Sequence, residues 1–91
     1  MMDNIIILFS SSTSAVRMKE ALAGKGFRAK VIGTPSRLAP SGCGYSVRTE
    51  SRAAGEAEKF LEHSGIKSRG VYLDTETEGP DRYRKLPSRT S

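Results

Sequence analysis

The sequence predicts one α+β domain whose elements run β-α-β-β-α-β, and three observations carry that prediction. The run Ile5-Ile-Ile-Leu-Phe9 has the length and β-branching of a strand buried on both faces. Two later segments repeat apolar residues at helical spacing. The third observation is an internal likeness: Leu22-Ala-Gly-Lys-Gly26-Phe-Arg-Ala-Lys-Val-Ile32 lines up with Leu61-Glu-His-Ser-Gly65-Ile-Lys-Ser-Arg-Gly-Val71 at an offset of 39 residues. Two β-α-β units of equal size are what a ferredoxin-like sandwich requires, with four antiparallel strands and two helices on one face.

The elements follow in order. Asn4–Ser10 forms the first strand. Ser11 to Thr13 offer N-cap side chains to a helix whose stripe is Ala15, Met18 and Leu22, and Gly26 fits the C′ position that ends it. Arg28–Gly33 is the second strand, centred on Val31 and Ile32. Thr34–Gly44 holds two prolines and two glycines and shows no periodicity, so it is a loop. Tyr45–Thr49 alternates around Val47 as the third strand. Ser51 is expected to cap a second helix with the stripe Ala54, Ala57 and Leu61, widened by Phe60 and stopped by Gly65. Val71–Leu73 is the fourth strand. The expected domain therefore spans residues 1–75. Residues 76–91, rich in Gly, Pro, Ser, Thr and charge, are expected to form a disordered basic and polar tail.

Composition narrows the function. A chain of 91 residues has room for one small core, which excludes a barrel or a full dinucleotide-binding sheet. One cysteine excludes an internal disulfide, and one cysteine with one histidine makes a structural metal or iron–sulfur site within the chain an unfavourable reading. No cofactor is expected. The longest apolar run, five residues, is far short of the ~20 of a spanning helix and of a signal peptide's core, so a cytoplasmic location without membrane contact is expected. There a thiol stays reduced.

The net charge is +5, and its distribution is uneven. No acidic residue occurs from Ala21 to Thr49, while Lys25, Arg28, Lys30, Arg37 and Arg48 fall inside that window. The excess positive charge thus shares a segment with the cysteine. Positive charge permits nucleic acid, but the expected strands carry only Phe9, Tyr45 and Tyr72, without the paired aromatics of a base-stacking sheet. Arg28, Lys30 and Arg48 read as ordinary exposed strand positions.

Cys43 stands in Ser41-Gly42-Cys43-Gly44, between the loop and the third strand. A cysteine is by default a small buried hydrophobe. The flanking glycines argue otherwise: they leave the thiol unshielded and let backbone N–H groups converge on it. Such a nest beside positive charge favours the thiolate and lowers the pKa from the usual ~8.5. Arg37, six residues earlier in the loop, is either a solvated charge or the cation that stabilises the thiolate or grips an anion. Ser10 and Ser11, after the first strand, are helix-capping residues that could also bind an anion at the helix N-terminus. His63 reads as a helix C-terminal residue that complements the dipole.

Ile7-Leu8-Phe9-Ser10-Ser11, then Pro35-Ser36-Arg37-Leu38, then Ser41-Gly42-Cys43-Gly44-Tyr45-Ser46-Val47 resemble the selenium/sulfur carrier proteins, a family long catalogued as a domain of unknown function. The likeness runs from about Asn4 to Leu73. Here Ser36 separates Pro35 from Arg37, and Gly42 stands where the family often has serine. The resemblance implies a carrier that holds sulfur or selenium on Cys43 as a persulfide or perselenide and passes it to an acceptor protein. It implies a transfer protein more than a stand-alone enzyme, with protein donors and acceptors as partners. The competing reading is a non-catalytic ferredoxin-like module that binds a regulatory ligand or RNA, with Ser41–Gly44 as a turn. The sheet edges of so small a domain would also allow a homodimer.

Overall fold

The computed structural model describes residues 4–35, 37–38, 44–75, 77 and 82–86. It contains strand β1 (Asn4–Phe9), helix α1 (Ser12–Gly24), strands β2 (Ala29–Gly33) and β3 (Tyr45–Glu50), helix α2 (Ala54–Ser64) and strands β4 (Gly70–Asp74) and β5 (Tyr83–Lys85). All strand pairs are antiparallel, in the order β2-β3-β1-β4-β5. None of the described helices is long and apolar enough to cross a membrane.

The apolar run at the start becomes the centre of the sheet. Ile5, Ile6, Ile7, Leu8 and Phe9 are all buried, as a strand with neighbours on both sides requires. Ile5, Ile7 and Phe9 join Ala15, Met18 and Leu22 of α1, Ala57 and Leu61 of α2, Val47 and Val71 in one core, so both helices pack on the same sheet face. The alternate residues Ile6 and Leu8 point to the helix-free face.

Local signals end α1 as the sequence predicts. Ser11 is its N-cap and accepts a hydrogen bond from Ser14 N–H at 3.2 Å. At the other end Gly26 takes φ +88°, with Gly26 N–H bonded to Ala23 O and Phe27 N–H to Leu22 O. That is the paired hydrogen bonding of a Schellman ending, completed by Phe27 against the core. Gly65 ends α2 in the left-handed region.

Two expectations need correction. Ser51 does not cap α2: Ser51–Ala53 is a 3₁₀ turn, and the N-cap position falls on Ala53, which makes no side-chain bond. The sheet has five strands, not four. Tyr83–Lys85 lies beyond residue 75 and pairs with β4, while Leu86 N–H reaches Val71 O at 2.8 Å and its side chain packs on the core. Three residues are too few for a period-2 pattern to register; pairing with an edge, not propensity, makes this strand.

A buried carboxylate ties that added strand to the sheet. Asp74 is fully buried at the end of β4. It accepts from Arg48 Nη1 at 3.0 Å across the sheet and from Arg82 Nε at 2.9 Å just before β5. A hydrogen bond to a charged group contributes about 1.5–3 kcal/mol. Exposed pairs such as Glu56–Lys59, 3.7 Å apart, contribute well under about 1 kcal/mol. Asp74→Ala is expected to destabilise the domain by about 2–3 kcal/mol in urea titrations. Lys59→Ala should change stability by less than about 0.5 kcal/mol in the same assay.

Candidate functional site

The antiparallel register decides which loops meet. Phe9 at the end of β1 faces Tyr45 at the start of β3, Gly33 at the end of β2 faces Tyr45 from the other side, and Leu8 faces Gly70 at the start of β4. The ends of β1 and β2 and the starts of β3 and β4 thus lie at one end of the sheet. Ser10 and Ser11 are there, as are Gly44 and Arg69, whose N–H donates to Leu8 O at 2.7 Å. The serine turn and the end of the cysteine loop, unrelated in sequence, share one rim.

Of the residues singled out from sequence, Ser41, Gly42 and Cys43 lie outside the described residues. Gly44, next in the chain, is described, and it is held firmly. Its carbonyl accepts from Thr34 N–H at 3.4 Å, which closes the two ends of the β2–β3 connection on each other. Its φ is +139°, and a Cβ there would sit 3.0 Å from Thr34 Oγ1 and 3.6 Å from Phe9 O. Thr34 cannot easily yield, because its hydroxyl shares a 2.7 Å hydrogen bond with Ser46 Oγ on β3, a fully buried residue. Only glycine fits a backbone this close to two strands.

Arg37 is exposed and lies inside the turn that Leu38 N–H closes on Pro35 O at 2.9 Å. Ser10 is exposed. Ser11 is exposed too, and its hydroxyl is engaged by the cap: it accepts from Ser14 N–H and donates to Ser14 Oγ at 3.0 Å. The helix N-terminus it caps carries no acidic residue in its first turn, so the positive end of the dipole is unopposed within that turn. His63 occupies the last turn of α2, as expected.

Two participants were not visible in the sequence. Thr34 is the residue that locks Gly44, and nothing in the string marks it, since its partner Ser46 is twelve residues away. Arg69 is brought to the rim only by the β1–β4 pairing.

The structure also gathers what the sequence dispersed at the opposite end. Arg28, Lys30, Arg48 and Arg52 line a cleft of about 600 Å³ with Asn4 and Glu50. Glu50 accepts from Arg28 N–H at 3.1 Å and from Arg52 Nε at 2.6 Å. Those two bonds, the backbone one first, hold its carboxyl below the usual glutamate range.

Gly44→Ala is expected to cost about 1–3 kcal/mol in urea unfolding, from left-handed strain and displacement of Thr34. Gly33→Ala, with no atom within 4 Å of its added Cβ, should leave stability within about 0.5 kcal/mol.

No curated protein and no solved structure matches this chain. A family model does match, over residues 4–73, which takes in the whole rim and every element from β1 through most of β4. By that match the chain belongs to the family described as Putative Se/S carrier protein-like.

Proposed function

We propose that this protein carries sulfur or selenium on Cys43, on a ferredoxin-like frame, and passes the atom to an acceptor protein in the cytoplasm. The observation that carries the reading is the anchoring of Gly44. The single cysteine of a member of this family is followed by a glycine pinned to two strands, at a rim with an unopposed helix N-terminus. The strand order β2-β3-β1-β4, with a helix after β1 and another after β3, supports the frame.

The chemistry needs one thiolate. The Cys43 sulfur attacks the terminal sulfur of a donor persulfide, the donor's S–S bond breaks, and the donor leaves as its thiolate. The terminal SH group is now bonded to Cys43. A donor carrying terminal selenium gives the SeH equivalent by the same exchange. An acceptor nucleophile then attacks that outer atom and releases the Cys43 thiolate, so the carrier returns to its starting state without net oxidation. In this reading Arg37, Ser41, Gly42 and Gly44 serve to stabilise the thiolate or to bind an anion, and Ser10 and Ser11, at the first helix N-terminus, are candidate anion-binding residues. The acid-free segment from Ala21 to Thr49 suits acidic surfaces on donor and acceptor proteins.

Incubation with a small-molecule persulfide, followed by intact-mass analysis, is expected to add the mass of one sulfur atom. Dithiothreitol should remove it, and Cys43→Ser should never acquire it. Iodoacetamide alkylation of Cys43 should titrate below the ~8.5 of a free thiol, and Arg37→Ala should move the midpoint upward. A midpoint at the free-thiol value with no adduct would sink the carrier reading and leave Ser41–Gly44 as a turn.

A further inference from the structure

The helix-free face of the sheet carries a feature that the carrier reading does not use. One register row crosses all five strands there: Lys30, Arg48, Ile6, Tyr72 and Lys85 are successive cross-strand partners. Tyr72 is half-buried, and one edge of its ring lies beside Gly70: the position a Cβ would take there is 3.1 Å from Tyr72 Cε1 and 3.8 Å from its Oη. β5 adds a second aromatic on the same face, Tyr83, diagonal to Tyr72 and with the Arg82 guanidinium 5.3 Å from its ring centre. The aromatic pair that the expected strands lacked is therefore supplied by a strand the sequence did not reveal.

Among the described residues, the exposed charges on this side are cations: Lys30 and Lys85 are exposed, and the cleft at one end of the face adds Arg28 and Arg52. Of the described carboxylates there, Asp74 is fully buried against two arginines, and Glu50 accepts from Arg28 and Arg52. Helix α2, on the opposite side, carries Glu56, Glu58 and Glu62 against Lys59. The face also gives an apolar partner little to cover, because Ile6 and Leu8 are only 0% and 6% exposed within the monomer. A half-buried tyrosine in a row with exposed cations, its aliphatic neighbours already covered, matches a chain of phosphates carrying stackable bases.

We infer that the helix-free face binds single-stranded nucleic acid, with a base stacked on Tyr72 and backbone phosphates in the Arg28–Lys30–Arg52 cleft. This site is separate from the cysteine rim and does not depend on the carrier chemistry.

The test is fluorescence anisotropy of the full chain with a short fluorescein-labelled oligouridylate, and with oligothymidylate to compare the two sugars. Saturable binding that weakens steeply with salt is expected. Tyr72→Ala should reduce affinity on the order of tenfold, while Tyr72→Phe should retain it. Lys30→Ala and Arg52→Ala should each flatten the log–log salt slope by roughly 0.7. Circular dichroism reports whether Tyr72→Ala folds; if it does not, Lys30→Glu and Lys85→Glu, at exposed positions, replace it and should each weaken binding. Cys43→Ser should bind as the parent does, so loss of the carrier activity and loss of this site are told apart. Absence of saturable binding, an equal loss from Arg17→Glu and Lys19→Glu on α1, or a loss confined to Cys43→Ser would each overturn the inference.

Discussion

The fold depends on the double burial of β1. Five consecutive side chains with almost no exposure can be satisfied only if a strand pairs on each side and something covers each face. The helices cover Ile5, Ile7 and Phe9, and Ile6 and Leu8 on the second face are buried as well. This strand also sets both loops at the rim. Its last residue fixes where the serine turn begins, and the carbonyl of that residue, Phe9, is one of the two walls against Gly44.

Burial on the second face extends to a carboxylate. Asp74 sits at zero exposure because Arg48 and Arg82 reach it from two different parts of the sheet, and the cations keep their outer edges in water. Removing a carboxylate from solvent costs several kcal/mol unless it is paired and hydrogen-bonded, so this arrangement requires both arginines. The same arrangement hides negative charge and displays positive charge. Glu50 repeats it on a smaller scale, accepting from the Arg28 backbone and the Arg52 side chain. Among the helices, α2 is the one that gathers acid, in Glu56, Glu58 and Glu62.

At the rim, Gly44 is fixed by strand pairing on one side and by the Thr34–Ser46 hydrogen bond on the other. The proposed carrier thiolate would have to be offered to a donor and then to an acceptor, which suits a residue in a loop whose base is held by the sheet, and neither demand involves an acid–base pair.

Much of this was legible in the string. Local rules operate within a turn or two, so the buried run of β1, the stripe Ala15, Met18 and Leu22, and the endings at Gly26 and Gly65 follow from spacing alone. The order of two β-α-β halves followed from their likeness. What depends on pairing between distant strands was not legible. The contact of Thr34 with Gly44, the fifth strand, the row from Lys30 to Lys85 and the cleft that gathers Arg28, Lys30, Arg48 and Arg52 all arise from register. Residues tens of positions apart meet there because hydrogen-bonded edges align them, and a three-residue strand carries too little pattern to announce itself. Sequence by itself determined the two helices and the first four strands, because each is written in local spacing and residue type. Only the tertiary structure decided which charges are hidden, which residues share a sheet face and which loops share an end of the sheet, because those follow from strand pairing across the whole chain.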